Sequence, residues 1–421
     1  MSDVDVEVEG ARMGPEEAER IEVTVGAVAP GGHCVARLDG QVVFVRHALP
    51  GERVVAEVTE VHRGFLRADA VTVLAAAPQR VEPPCPYAGP GRCGGCDLQH
   101  VAPEAQRDWK ASVVREQLTR LGGLTDAEVD ALDPQVAALP GGPLGWRSRV
   151  RYAVDAAGRA GLLKHRSHEV VPVDRCLIAH PAVQETRVLA ADGTRWPEAE
   201  AVEVVASTGG DVTVTAVTEG VGTPVRGPAT VREVAAGRDW ALPAGSFWQV
   251  HPAAADTLVA AVLELLEPRA GESAWDLYGG AGLFAAALAD RVGPTGRVTL
   301  VEAAADGVRA ARENLADTER VEVVAARVET ALARRRITGP VDVVVLDPPR
   351  AGAGAQVVRG LVAAAPRAVA YVACDPAAFA RDVRTFTAAG WRLAALRGFD
   401  LFPMTQHVEL VGLLLPPARE G

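Results

Sequence analysis

The chain has 421 residues, of which 48% are hydrophobic, and a formal charge of −11 at neutral pH. That length exceeds one compact core and implies two to four domains, while the acidic balance argues against a general nucleic-acid binder with a uniformly basic surface. No apolar run reaches the roughly 18 residues of a membrane span, and the acidic N-terminus lacks a signal-peptide pattern, so the expected compartment is the cytoplasm.

Much of the negative charge is local. Asp3, Asp5, Glu7, Glu9, Glu16, Glu17 and Glu19 stand against Arg12 alone, so residues 1–19 read as a disordered acidic tail. Residues 20–77 then alternate as short strands do, with Gly31-Gly32, Asp39-Gly40 and Pro50-Gly51 as turns. Five such strands predict a small closed β-barrel of the OB kind, a frequent RNA-binding scaffold. Two readings of its polar face stand side by side. Phe44, Phe65, Arg46, Arg63 and Arg67 present a stacking and phosphate-binding surface. Alternatively, Phe44 packs in the barrel core and the arginines are simply solvated.

Residues 78–240 are expected to form a central β-rich domain. It opens on a Pro-rich connector and contains one helix over 105–121, with Trp109, Val113, Val114, Leu118 and Leu121 on its apolar face and Gly122-Gly123 after it. Residues 241–421 alternate strands and helices, which predicts an α/β, doubly wound, largely parallel sheet with helices on both faces.

Four stretches of that last domain carry the chemistry. Asp276-Leu277-Tyr278-Gly279-Gly280-Ala281-Gly282 joins a strand to a helix, the context in which backbone amides and a helix N-terminus cradle a nucleotide. Glu302 ends the next strand, where a carboxylate can accept from ribose hydroxyls. Asp347-Pro348-Pro349-Arg350 ends a later apolar strand, and Ala373-Cys374-Asp375-Pro376 another. The last stretch, Pro403-Met404-Thr405-Gln406-His407-Val408-Glu409, ends on a carboxylate. A cysteine at a strand end with a separate carboxylate suits an enzyme that adds a thiolate to a ring and then removes a proton. Asp375 beside the thiol should raise its pKa unless an arginine, Arg350 or Arg381, offsets it.

Six cysteines are present, and Cys85, Cys93 and Cys96 fall close together. With Cys176 they make four thiols, enough for a [4Fe–4S] cluster or for tetrahedral zinc; one distant single cysteine favours the cluster. Cys34 reads as a barrel residue, and His165 and His168 as part of a basic hairpin.

Taken in this order, these motifs resemble the S-adenosylmethionine-dependent RNA uracil-5-methyltransferases, and residues 31–32 and 48–52 resemble the TRAM domain. The resemblance covers nearly the whole chain. It implies Cys374 as nucleophile and Glu409 as base, with Gln249, Tyr278, Glu302 and Asp347 on the cofactor. The run Cys85-Pro86, Cys93-Gly94-Gly95-Cys96 and Gln99-His100 resembles the family's iron–sulfur motif, its first gap lengthened. Members that carry both a TRAM domain and a cluster include the enzyme for large-subunit rRNA, so 23S-type rRNA is the expected partner, with a tRNA T-loop uridine as alternative. No obligate protein partner is evident. Two departures stand out: His251 replaces the Asn of the family's F-x-Q-x-N segment, and Ala373-Cys374-Asp375 replaces its usual S-C-N. An amino-group methyltransferase, or an RNA-binding iron–sulfur protein with a decayed catalytic domain, are the rival readings.

Overall fold

The computed structural model describes residues 11–12, 19–190 and 194–418. Apart from residues 11, 12 and 19, the acidic segment 1–19 lies outside the described residues. Two compact units form: one comprises residues up to 113 with 162–173 and 403–406, the other 114–161, 174–402 and 407 onward.

In the first unit five strands, β1 (Arg20–Ala29), β2 (His33–Leu38), β3 (Gln41–Arg46), β4 (Arg53–Val61) and β5 (Phe65–Ala75), close into a barrel. Neighbours are antiparallel except β3 and β5, which run parallel with Val42 opposite Phe65 and Arg46 opposite Asp69. Alternate residues such as Val23, Val25, Val43, Val45, Val54 and Ala56 fill the interior. Cys34 is buried with them, its thiol donating to the Ala48 carbonyl at 3.5 Å. The β2–β3 turn has Asp39 and Gly40 at φ 48° and 87°, the left-handed pair that a two-residue hairpin loop needs.

Phe44 does not enter this core. Val43 and Val45 point inward, and the period of two sends the ring between them outward, half-buried and edge-on to Phe65 at 5.4 Å. Nor is Arg46 solvated: it is 7% exposed, facing Asp69 at 4.0 Å and Asp97 at 3.5 Å. The chain leaves the barrel through a buried knot. Glu52 accepts from the amides of Leu49 (2.8 Å) and Ala77 (3.0 Å) and pairs with Arg80 at 2.6 Å. Residues 403–406 belong to this unit as well. Met404 donates its amide to Gln106 Oε1 at 2.9 Å, its carbonyl accepts from Asp97 and Leu98, and the Gln406 amide reaches Asp97 at 3.2 Å.

Helix α1 (Pro103–Arg120) buries Trp109, Val114 and Leu118, and α2 (Asp126–Leu132) starts on a capping box in which Thr125 and Glu128 satisfy each other's amides. In the second unit, β6 (Val136–Ala138) precedes an antiparallel sheet of β7 (Arg149–Val154), β8 (Ala201–Ala206), β9 (Val212–Thr218) and β10 (Val221–Arg226). A separate hairpin follows, β11 (Thr230–Ala235) with β12 (Arg238–Pro243), and buries Trp240.

Helix α3 (Ala254–Leu266) then leads into alternating elements: β13 (Ser273–Leu277), α4 (Leu283–Val292), β14 (Arg297–Glu302), α5 (Ala305–Asn314) and β15 (Val321–Ala325). After these come α6 (Val328–Ala333), β16 (Val343–Leu346), α7 (Gly354–Ala364), β17 (Ala368–Ala373), α8 (Pro376–Ala388), β18 (Arg392–Asp400) and β19 (Glu409–Leu415). The sheet order is β15-β14-β13-β16-β17-β19-β18-β6. The first five strands are parallel, β19 is antiparallel to both neighbours, and β6 lies parallel to β18 at the edge. Strands β16 and β17 are buried at every residue, which is why they read as unbroken apolar runs. By sequence β6 falls within the central domain, yet it joins the last sheet; three residues paired to a strand far along the chain carry no local signal.

A buried ion pair fixes the segment that enters α3. Arg149 pairs with Glu233 at 2.7 Å, and its other nitrogen donates to the carbonyls of Ala244 (3.2 Å) and Ser246 (3.0 Å). Glu233 in turn accepts from the Thr208 amide at 2.9 Å. Replacing Glu233 with Ala leaves the Arg149 charge without its counter-ion and is expected to destabilise this unit by about 3–5 kcal/mol, measured by urea denaturation.

Candidate active site

The glycine turn after β13 is held by the neighbouring strand: the amides of Tyr278 and Gly279 both donate to the Val301 carbonyl, at 3.0 and 3.1 Å. Glycine is required at 279, where a Cβ would lie 2.5 Å from Leu300 Cγ. Tyr278 has φ 65°, a left-handed backbone that bulky residues seldom adopt, and its phenol pKa is raised by burial and by Glu329 and Asp382. Glu302 bridges the turn to the next helix, accepting from Gly280 at 3.0 Å and from Ala303 and Ala304 at 2.6 Å. A Cβ at Gly280 would meet nothing within 4 Å, so the turn faces open space there.

Asp276 is the residue of this turn whose role the motif did not single out. It is fully buried. One carboxylate oxygen accepts from the Ala285 amide in the first turn of α4 at 2.8 Å, and the other has no partner among the described residues. Burial, with Asp347 and Glu302 nearby, pushes its pKa up to about 8.

Gln249 lies half-buried in the segment pinned by Arg149. Trp248 packs against Trp240 with centroids 5.7 Å apart, and Ser148 holds the Val250 carbonyl at 2.8 Å. His251, where the family has Asn, stacks on Trp146 at 6.1 Å, and burial lowers its pKa. The Gln249 amide has no hydrogen-bond partner among the described residues and is available to a ligand.

The chemical half follows from strand register. β17 and β19 run antiparallel with Ala373 opposite Leu410, so one step further sets Cys374 against Glu409, and opposed residues of such a pair project to one face. Glu409 is 4% exposed; burial first, then Asp347, raises its pKa well above the ordinary carboxylate value, while Arg350 lowers it. Cys374 is pushed up to about 11 by burial, then by Glu409 and Asp347, with Asp375 adding a smaller push; Arg350 opposes them. Arg350, and not the exposed Arg381, is the cation that acts on the thiol. Asp347 itself is raised to about 7 by burial. It acts on Asp276, Cys374 and Glu409 alike, so it belongs to both halves of the site.

Two further residues hold this cluster in place. Asp375 caps α8 by accepting from the Ala378 amide at 2.7 Å, with Pro376 in the first turn, and so orients the residue before it. Asp382 is buried. It accepts from the Tyr371 hydroxyl (2.6 Å) and from the amides of Ala353 (2.8 Å) and Gly354 (3.1 Å), which ties down the loop that carries Arg350. Sequence alone missed Asp382; an acid on the buried face of an amphipathic helix was the available signal.

Known proteins fit this arrangement. Residues 16–71 match the TRAM domain and residues 236–417 match tRNA (uracil-5-)-methyltransferase. An RNA methyltransferase of Streptomyces avermitilis is 51% identical over 95% of this chain and 99% of its own, and one of Streptomyces coelicolor 50% over 95% and 94%. The chain belongs to the RNA methyltransferases of the uracil-5 family. Its fold is shared with the tRNA (uracil-54, C5)-methyltransferase of Pyrococcus abyssi, solved with S-adenosyl-L-homocysteine, at a TM-score of 0.71 and 23% identity, covering 93% of this chain and 99% of that one.

The methyltransferase's other cysteines are less assembled. Cys85, Cys93 and Cys96 belong to the first unit and Cys176 to the second. Cys93 Sγ accepts from the Gly95 amide at 3.4 Å, and a Cβ on Gly94 would strike the His165 backbone at 2.3 Å. Among the described residues no three His, Cys, Asp or Glu side chains converge as a metal ion requires.

With the thiol raised to about 11, its thiolate fraction climbs only as pH approaches that value. Alkylation of Cys374 by iodoacetamide in the unliganded methyltransferase should therefore still be accelerating at about pH 9. Asp347→Asn should speed alkylation at about pH 8 and Arg350→Gln should slow it, read by mass spectrometry of the labelled peptide.

Proposed function

We propose that this methyltransferase moves the methyl group of S-adenosylmethionine to C5 of a uridine in RNA by way of a covalent bond between Cys374 and C6. The observation that carries the reading is the antiparallel register that places Cys374 and Glu409 face to face beside Asp347 and Arg350. The Cys374 thiolate adds to C6, which makes C5 nucleophilic; C5 takes the methyl group; Glu409 removes the C5 proton; and the C6–S bond breaks to restore the ring and free the thiolate. The base must leave its stack, or lie in an unpaired loop, for a thiol at a strand end to reach it.

The glycine turn, Glu302, Tyr278, Gln249 and Asp347 hold the cofactor in this reading. What supports it is the open face at Gly280, the unengaged Gln249 amide, and a surplus of carboxylates that suits a cationic sulfonium. The same surplus times the base. With a cation bound, Glu409 and Cys374 lose protons more readily than in the unliganded site. Once the methyl group is transferred that positive charge is gone, and the proton affinity of Glu409 rises as the C5 proton has to leave.

Large-subunit rRNA of the 23S type is the proposed substrate, on the resemblance of the cysteine motif. The match of residues 236–417 to tRNA (uracil-5-)-methyltransferase favours a tRNA T-loop uridine as the second reading. Incubating the protein and S-adenosylmethionine with 5-fluorouridine-substituted rRNA and tRNA tests both, because fluorine at C5 cannot leave as a proton. A denaturing gel should show a protein–RNA band with one of the two, absent in Cys374→Ala. With unsubstituted RNA, Glu409→Gln should accumulate the same band and lower turnover by about 100-fold or more. Undiminished turnover in that variant would remove Glu409 from the role.

We further propose that Cys85, Cys93, Cys96 and Cys176 ligate a [4Fe–4S] cluster, with zinc as the alternative. Four thiols, one of them accepting an amide hydrogen bond, suit either group, and no step above runs through it. Protein purified without oxygen should be brown, carry iron and acid-labile sulfide in equal amounts, and lose both in Cys96→Ser. Colourless protein carrying stoichiometric zinc would decide for the alternative.

A further inference from the structure

The outer face of the barrel carries a row of rings. His62 stacks on Phe65 at 4.3 Å, Phe65 meets Phe44 edge-on at 5.4 Å, Phe44 meets His33 at 6.2 Å, and His33 meets His165 at 6.4 Å. The row borders a cleft of about 200 Å³ in the same unit, into which Arg46, Arg67, Arg92, Lys164 and Arg166 contribute against Glu60 and Asp69. The cations are not fully compensated. Glu60 is shared by His62, Arg67 and Arg166, at 3.0, 3.3 and 3.9 Å. Arg92 donates to the Pro86 carbonyl at 2.7 Å and has no carboxylate partner among the described residues. The imidazoles register the excess: burial first, and then the arginines, lower His33 to about 4 and His165 to about 3. His165 Nε2 is buried and has no hydrogen-bond partner among the described residues.

We infer that this face holds a single-stranded stretch of the RNA substrate, with a backbone phosphate in the cleft and its unpaired base against the ring row. The inference rests on RNA being the substrate and assigns where, away from the reacting uridine, the strand is gripped. In a chain of net negative charge, a cleft with surplus arginine concentrates attraction for a polyanion at one place. Rings beside it select unpaired nucleotides, because a duplex hides its base faces. The neutral imidazoles add donors or acceptors without adding charge, which suits a ribose-phosphate unit better than a bare anion.

The test uses the full chain and a fluorescein-labelled single-stranded RNA oligomer, followed by anisotropy over a range of salt concentrations. Arg92→Gln with Arg166→Gln should weaken binding and lower the slope of log affinity against log salt by about 0.7 for each phosphate left without its cation. Phe65→Leu should weaken binding roughly fivefold or more with the slope unchanged, and Phe65→Trp should restore it. The same RNA annealed to its complement should bind more weakly than the single strand. Unchanged affinity and slope in the arginine variant would overturn the inference, as would equal binding of duplex and single strand, or heparin competing equally against wild type and variant. Circular dichroism checks the fold of each variant; if Phe65→Leu unfolds, Arg92→Gln, which touches only a backbone carbonyl, decides alone. A wild-type protein that grips RNA but forms no 5-fluorouridine adduct counts against the proposed chemistry and leaves this surface standing. Adduct formation with variants that bind normally does the reverse.

Discussion

Asp276, Asp347 and Glu409 stand at one edge of the central sheet with Cys374 among them, and their mutual repulsion in low-dielectric surroundings can be relieved only by protons, by Arg350 or by a bound cation. Every unusual property of the site follows from that crowding. The thiol is reluctant to ionise, the carboxyls keep protons well above their ordinary range, and Arg350 is valuable because it acts on both Cys374 and Glu409. The crowding is built by topology. Parallel strands bring Asp276 and Asp347 to their carboxyl ends, and the single reversal at β19 brings the start of an antiparallel strand to the same edge. A sheet parallel throughout would have carried residue 409 to the opposite end.

Much of this was legible from the residues alone. The glycine turn needs Gly279 because Leu300 leaves no room for a Cβ, and such steric needs are written directly into a local motif. The strand-ending positions of Asp347 and Cys374 were equally plain, since fully buried parallel strands are apolar runs that stop where the chemistry begins. What escaped were dependencies between distant residues. Asp382 supports the Arg350 loop from a helix some thirty positions on, and Arg149 fixes the Gln249 segment from across the insert. Neither has a local pattern to announce it.

The barrel shows the same division. Its strands and its Asp39-Gly40 turn could be read from alternation, yet Phe44 was open to two assignments until the phase of the alternation was known. Val43 and Val45 claim the interior, and a one-residue difference in phase separates a core ring from a surface ring. Arg46 went the other way, from a candidate surface cation to a buried one held between two aspartates.

Residues 403–406 pack among Gly31, Asp97, Leu98 and Gln106, whereas the residues from 407 on belong with the catalytic sheet. The carboxylate assigned to proton removal therefore sits three positions beyond a segment that the barrel-bearing unit keeps in shape. In evolutionary and practical terms the two units are not interchangeable parts. A fragment beginning after residue 113 would retain every reacting group and yet lose the partners that fix the approach to Glu409. Recombination that exchanged the N-terminal unit for a foreign one would have to re-create the seat of Met404 and Gln406 before the chain could regain its turnover.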